Sequence, residues 1–339
     1  MKLKLLTAVL GLSVAGLAVN VASAQTLQTV KDRGTLRCGV NTGLPGFASQ
    51  NDQGAWQGLD VDYCKAVAAA VFGDASKVQY SPLSAVQRFP ALQNNEIDML
   101  ARNTTWTMDR DTTLGLTFAG VNYYDGQGFM VKKDLNVNSA LELSGATVCV
   151  QSGTTTELNL ADYFSTNGMD YNPVVIEAQN DVNSAYDSGR CDVLTTDASG
   201  LAASRLEMGN PDEHVILPEI ISKEPLGPAV RQGDTEWFNV VKWTHNALLN
   251  AEELGVTQAN VEEMLDSENP EIRRLLGQDK NFGESIGLPQ DWVVNIIKAV
   301  GNYGEIFERN IGVNTPLQIQ RGQNALWTKG GLQYGLPIR

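Results

Sequence analysis

The chain has 339 residues, with 25 Lys or Arg against 39 Asp or Glu and a net charge of −14. So acidic a chain is repelled by nucleic acid and by anionic membrane surfaces, which excludes both as natural partners. Only two histidines occur, His214 and His245, with neither H-x-x-x-H nor C-x-x-C spacing, so no metal and no cofactor are expected. The length exceeds the usual single domain, and two lobes are predicted.

The chain opens Met1-Lys-Leu-Lys4, runs apolar over 5–19 and reaches Ala22-Ser-Ala24. A basic start, an apolar middle and an A-x-A site are the parts of a secretory signal peptide. Residues 1–24 are therefore expected to be removed after Ala24. No cysteine stands at the cleavage site to take a lipid anchor, and no later stretch approaches the length of a membrane span. The four cysteines then face an oxidising compartment, where disulfides are the default. Cys38 and Cys64 fall early, Cys149 and Cys191 in the middle, so the expected pairs are Cys38–Cys64 and Cys149–Cys191. Free buried thiols are the alternative.

In chain order, residues 36–40 read as a strand ending in the Gly/Pro loop 41–46. Gly58-Leu-Asp-Val-Asp62 opens an alanine-rich helix closed by Gly73, with Asp60 as its N-cap and Asp62 in the first turn. Helix-start duty accounts for the two aspartates better than a catalytic pair. A strand is read at 78–81, a short helix with Pro90 in its first turn, and a strand at 97–100.

That strand runs into Arg102-Asn-Thr-Thr-Trp-Thr-Met-Asp-Arg110. Two planar guanidiniums beside three hydroxyls suit a carboxylate clamp. Equally, Thr107 may be read as the N-cap of a helix starting near Met108. Strand and helix alternate throughout, which predicts parallel α/β sheets with the ligand at the carboxyl ends of strands.

Residues 117–133, with Tyr123, Tyr124, Gly126 and Gly128, read as an extended crossing into a second lobe. A strand at 146–150 leads to Gln151-Ser-Gly-Thr-Thr-Thr-Glu157, where Thr154 and Glu157 have capping-box spacing and expose backbone N–H groups. Residues 189–194 resemble 95–100, so the strand end at Asp197 is expected to face the clamp across a cleft. Its alternative role is to cap the helix 198–208. Residues 225–231 return the chain to the first lobe. Asp234 caps a helix ending at Gly255, and short helices follow near 261–265, 270–276, 289–300 and 303–309. The tail 312–339 shows no chemistry, and Trp327 and Tyr334 read as packed on a lobe.

The run Gly58-Leu-Asp-Val-Asp-Tyr-Cys-Lys-Ala-Val-Ala resembles the signature of the family 3 extracellular solute-binding proteins, which serve amino-acid ABC importers. The resemblance covers about residues 30–250. The clamp stretch and the long C-terminal extension are most similar to the family's general L-amino-acid binders. It implies a two-lobed periplasmic binding protein of type II, monomeric, with lobe 1 at 25–124 plus 226–339 and lobe 2 at 125–225. It also implies an amino-acid ligand, delivery to ABC permease transmembrane subunits, and periplasmic location. Carried over residue by residue, Arg110 matches the arginine for the ligand carboxylate and Asp197 the aspartate for the ammonium. Asn103, Thr105, Gly153, Thr154 and Thr155 match positions beside the carboxylate. Asn41 stands where members preferring cationic side chains often carry Asp, which fits a broader pocket. Arg102 is read as a shaping or side-chain contact. The family's stacking aromatic in the segment before Pro90 has no match, Ala85 falling near its place, and Trp106 or Trp56 would have to replace it. The implied mechanism is closure of two lobes about crossings near 124–128 and 222–226. A periplasmic dehydratase of prephenate-like acids on the same fold is the rival, and a sensor ectodomain a third reading.

Overall fold

In a computed structural model, residues 25–339 are described; the expected signal peptide lies outside them. Two five-stranded sheets organise the chain. In lobe 1 the spatial order is Val78–Leu83, Leu36–Asn41, Met99–Leu100, Ala229–Arg231, Leu116–Phe118, and only Ala229–Arg231 runs antiparallel to its neighbours. In lobe 2 the order is Asn172–Ile176, Thr147–Gln151, Val193–Asp197, Gln127–Lys132, His214–Ile216, again with the fourth strand antiparallel. The orders match position for position. Met99–Leu100 and Val193–Asp197 each hold third place, so the similar segments before them occupy equivalent sites.

Two strands, Tyr123–Asp125 and Glu224–Leu226, pair antiparallel between the sheets and form the crossings. The C-terminal extension grips the first crossing. Asn324 pairs by side chain with both backbone groups of Tyr124 at 2.7 and 3.0 Å, and the Tyr303 hydroxyl donates to the Asn122 carbonyl at 2.9 Å. Phe307 stacks on Tyr123. Trp292–Val300 packs on Leu59–Phe72, so the extension shares the lobe 1 core instead of forming a separate unit. Trp327 and Tyr334 are exposed, their rings tilted at 49° with centroids 5.2 Å apart, and Trp327 Nε1 donates to the Glu253 carboxylate at 3.3 Å, so they rest on the lobe 1 surface without being buried in it. Among the described residues no helix is long and apolar enough to cross a membrane.

The structure joins Cys38 to Cys64 and Cys149 to Cys191, with Cα separations of 6.1 and 5.7 Å. The first bridge ties a central strand to the helix Leu59–Phe72. Both histidines are structural: His214 and His245 each meet a tyrosine hydroxyl, of Tyr186 and Tyr63, at 2.9 Å. Burial pushes His245 down to about 4, so it stays neutral in that pair.

The N-cap of Leu59–Phe72 is Gly58, not Asp60 as the sequence suggested. Gly58 has φ 131°, a conformation only glycine adopts readily, and a Cβ there would collide with the Phe47 carbonyl. Gly58→Ala is therefore expected to destabilise by about 3 kcal/mol or more, combining backbone strain and overpacking. Chemical denaturation at neutral pH checks this, and unchanged stability would contradict the local geometry.

Candidate functional site

Asp60, released from capping, anchors the lobe 1 wall of the cleft. Its carboxylate accepts the Asn103 N–H at 2.7 Å and the Asn122 amide at 3.1 Å. Burial raises it to about 6, against the lowering effect of those two bonds and of the Arg102 charge. Asn103, at φ 32°, turns its side chain to the end of the first strand, where Asn41 Nδ2 donates to its Oδ1 at 2.9 Å. Asparagine tolerates such a φ better than most residues.

Three buried arginines follow on the same wall. Arg102 donates through Nε to the Leu83 carbonyl at 3.2 Å, and its buried Nη2 has no partner among the described residues. Burial pushes it down to about 10, leaving it charged at neutral pH. Arg88 opens the helix Arg88–Gln93; among the described residues its guanidinium hydrogen-bonds only the Thr104 hydroxyl, at 3.4 Å, and lies over the Phe89 ring at 4.7 Å. Burial, then the neighbouring Arg102 and Arg110 charges, hold it well below the ordinary arginine value. Arg110 donates to the Thr105 carbonyl at 2.9 Å and also lies over the Phe89 ring, 5.1 Å from its centroid. Thr107 does cap the helix Met108–Thr112, accepting the Arg110 N–H at 3.2 Å. The cap and the guanidinium are thus one assembly. Among the described residues none of the three arginines lies within 4.0 Å of a carboxylate oxygen.

On the lobe 2 wall Thr154 caps Thr155–Thr166, accepting the Glu157 N–H at 3.2 Å. The Glu157 carboxylate reaches Gly153 N–H at 3.0 Å, one residue earlier than a capping box would place it. Asp197 stands at the N-cap position of Ala198–Leu206 without capping it. Asp125, on the first crossing, takes that role: it accepts the Ser199 hydroxyl and N–H and, at 2.9 Å, the Gly126 N–H. Burial raises Asp125 to about 6. Asp197, 6% exposed, accepts no hydrogen bond from the described residues. Burial first, then the Asp125 and Glu224 charges, hold its carboxyl well above the usual range, while Arg88 and Arg110 pull the other way.

Between the walls lies a narrow cleft, lined from lobe 1 by Asn41, Arg88, Arg102, Asn103 and Thr105. Lobe 2 lines it with Gln151, Thr154, Thr155, Thr156, Gln179 and Asp197 among others. Three sequence candidates do not line it. Arg110 donates to the carbonyl of Thr105, which does line it. Gly153 packs against Val86 across the lobes, and Trp106 stacks on Phe118 at 5.4 Å with its edge exposed. Trp56 lies beside Tyr80, so neither tryptophan replaces a stacking aromatic in the cleft. Sequence reasoning missed Arg88, Gln151, Gln179 and the hinge carboxylates Asp125 and Glu224. For Arg88 a signal existed in a charged residue opening a short helix between two strands. The carboxylates offered only acidic residues in extended crossings.

Two α/β lobes joined by paired crossings, with unpaired guanidiniums facing an unpaired carboxylate, are the build of a type II two-lobed solute-binding protein. The model of the bacterial extracellular solute-binding proteins, family 3, matches residues 36–260, and the chain belongs to that family. It is 64% identical, over 100% of both chains, to the general L-amino acid-binding periplasmic protein AapJ of Rhizobium johnstonii. It is 56% identical, over 96% of this chain and 97% of the other, to the glutamate/glutamine/aspartate/asparagine-binding protein BztA of Rhodobacter capsulatus. Among solved structures, a periplasmic binding protein from Brucella ovis with glutathione bound is 66% identical with a TM-score of 0.92, covering 93% of this chain and 100% of that one.

Proposed function

We propose that this chain, cleaved after Ala24, is the periplasmic binding component of an ABC importer for L-amino acids, taking a broad range of them as a monomer. The lobes divide at the crossings, 25–124 with 226–339 against 125–225, and the loaded closed form docks on the permease. The observation that carries this reading is charge without partners on both walls: Arg88, Arg102 and Arg110 on one, Asp197 on the other. Buried charges require compensation, and a zwitterion bridging the walls supplies it. Arg110 takes the α-carboxylate, Asp197 the ammonium, and Asn103, Thr105, Thr154 and Thr155 complete the contacts. Arg88 and Arg102 face the side-chain end, with Asn41, so carboxylate and amide side chains bind more tightly than lysine or arginine. Because the two main groups sit on different lobes, only the closed state uses both, which gives the ligand the differential affinity that closure requires.

Calorimetry of the mature chain against the standard amino acids tests the proposal. Charge-assisted bonds at about 1.5–3 kcal/mol each suffice for micromolar binding, about −8 kcal/mol. No heat with any amino acid defeats it. Binding occurs without turnover, since a prephenate-like substrate would leave Asp197 uncompensated. Recovery of prephenate unchanged after incubation is the expected result.

The reading fixes a pH dependence. An ammonium binds the ionised form of Asp197, but the empty site favours its protonated form. Acidification therefore competes with the ligand, and affinity falls at a higher pH than for an ordinary carboxylate. Titrations from the acid side up to neutral pH should show binding that tightens as pH rises, with proton release on binding greatest at the acid end. A constant affinity over that range would contradict the role of Asp197.

The glutathione-bound relative from Brucella ovis supports a second ligand class. The γ-glutamyl end of glutathione carries the same ammonium and α-carboxylate as a free amino acid, and would engage Asp197 and Arg110 alike. Glutathione belongs in the calorimetric panel.

A further inference from the structure

Glu224 lies on the second crossing, 1% exposed, and takes hydrogen bonds from both lobes at once. Its Oε2 accepts the Thr105 hydroxyl of lobe 1 at 2.6 Å and the Thr155 hydroxyl of lobe 2 at 2.8 Å. Those two hydroxyl oxygens are 3.3 Å apart. Its Oε1 accepts the Asn159 amide and the Ser222 hydroxyl, each at 2.7 Å. Thr155 and Asn159 are one turn apart on Thr155–Thr166, so the carboxylate meets a single face of that helix's first turns. On the lobe 1 side, the backbone of Trp106 donates to the Pro225 carbonyl at 2.8 Å, and Gly227 to the Thr104 carbonyl at 3.0 Å. The threonine segment and the crossing are thus one piece.

A threonine hydroxyl has one proton. Both Thr105 and Thr155 give theirs to Glu224, so each faces the cleft through lone pairs. Two hydroxyls from opposite lobes on one oxygen also tie the two walls of the cleft together. Resting on the reading of the cleft as an amino-acid site, we infer that Glu224 is a positioning residue for capture: from the hinge it latches the two lobes together and sets Thr105 and Thr155 as acceptors for the ligand ammonium, not as donors to its carboxylate. It need not touch the ligand to do so. A carboxylate is required, because a glutamine of the same size presents donors where two donors already point.

The test compares full-length mature wild type, Glu224→Gln, Thr155→Val, Thr155→Ser and the Glu224→Gln/Thr155→Val pair by calorimetry with the amino acids that wild type binds. X-ray scattering before and after ligand reads closure. Glu224→Gln and Thr155→Val are each expected to weaken every ligand by about tenfold or more and to reduce ligand-induced compaction. Thr155→Ser, which keeps the hydroxyl, should restore both, and the pair should be no worse than the weaker single variant. Wild-type affinity and compaction in Glu224→Gln, or additive losses in the pair, would overturn the inference. If Glu224→Gln does not fold, Thr155→Val against Thr155→Ser decides: equal binding by the two overturns it. A wild type that binds no amino acid defeats the reading of the cleft instead, and the inference with it.

Discussion

Replacing Asp197 by asparagine is expected to weaken every amino acid by about two to three orders of magnitude, because removing one partner of a buried charge pair costs about 3–5 kcal/mol. The same change should not harm the fold. Asp197 accepts no hydrogen bond among the described residues, and Asp125 caps the helix that follows it. The sign of the stability effect is opposite to that on binding. Its folded carboxyl is held well above the ordinary value, chiefly by burial. Such a group favours the native state only at low pH, and that contribution is lost as pH rises through the folded value. At neutral pH without ligand, Asp197→Asn should therefore unfold at the wild-type temperature or above it. Thermal unfolding of the empty protein, paired with calorimetry, checks both halves. A destabilised empty variant would mean that Asp197 is a structural residue.

The second large effect separates the arginines. Arg110→Ala is expected to reduce affinity for all amino acids alike by about 100-fold, the scale of losing a bidentate charge-assisted contact. Arg110→Lys should recover little, since an ammonium lacks the planar fork. Arg88→Ala should instead cost glutamate and aspartate more than alanine or leucine. Arg110 and Arg88 share contact with Phe89, so the two variants impose similar packing losses and differ mainly in the charge removed. A loss in Arg110→Ala confined to one side-chain class would assign the α-carboxylate to another residue. A uniform loss in Arg88→Ala would remove it from the side-chain end.

How much of this was legible in the sequence follows from the range of the forces involved. Strand ends announce themselves locally, because an apolar run stops and polar donors begin; Asn41, Arg102, Asn103 and Asp197 all stand at such ends, and all line the cleft. Caps are local too. Thr107 and Thr154 bond N–H groups three residues on, within reach of spacing arguments. The repeat between 95–100 and 189–194 carried the equivalence of the two third strands. What stayed hidden depends on contacts between distant parts of the chain. Asp125 reaches Ser199 across 74 positions, and Thr105 reaches Glu224 across 119. Asp60 looked like a cap because helix starts favour aspartate, but its nearest unsatisfied donor is the Asn103 N–H, brought in by tertiary packing. Trp106 looked available to the ligand until Phe118, at the end of the strand Leu116–Phe118, claimed its face. Arg110 sits in the expected motif, yet its bond to the Thr105 carbonyl is a matter of backbone path that spacing does not encode.

The central claim is that two lobes close on one molecule bearing both an α-ammonium and an α-carboxylate. It is tested most directly by titrating the tightest-binding amino acid alongside its N-acetyl derivative and its α-decarboxylated amine. The account predicts that removing either charge weakens binding by about 100-fold or more, since each removes one wall's partner. Binding of either analogue as tight as that of the parent amino acid would contradict it.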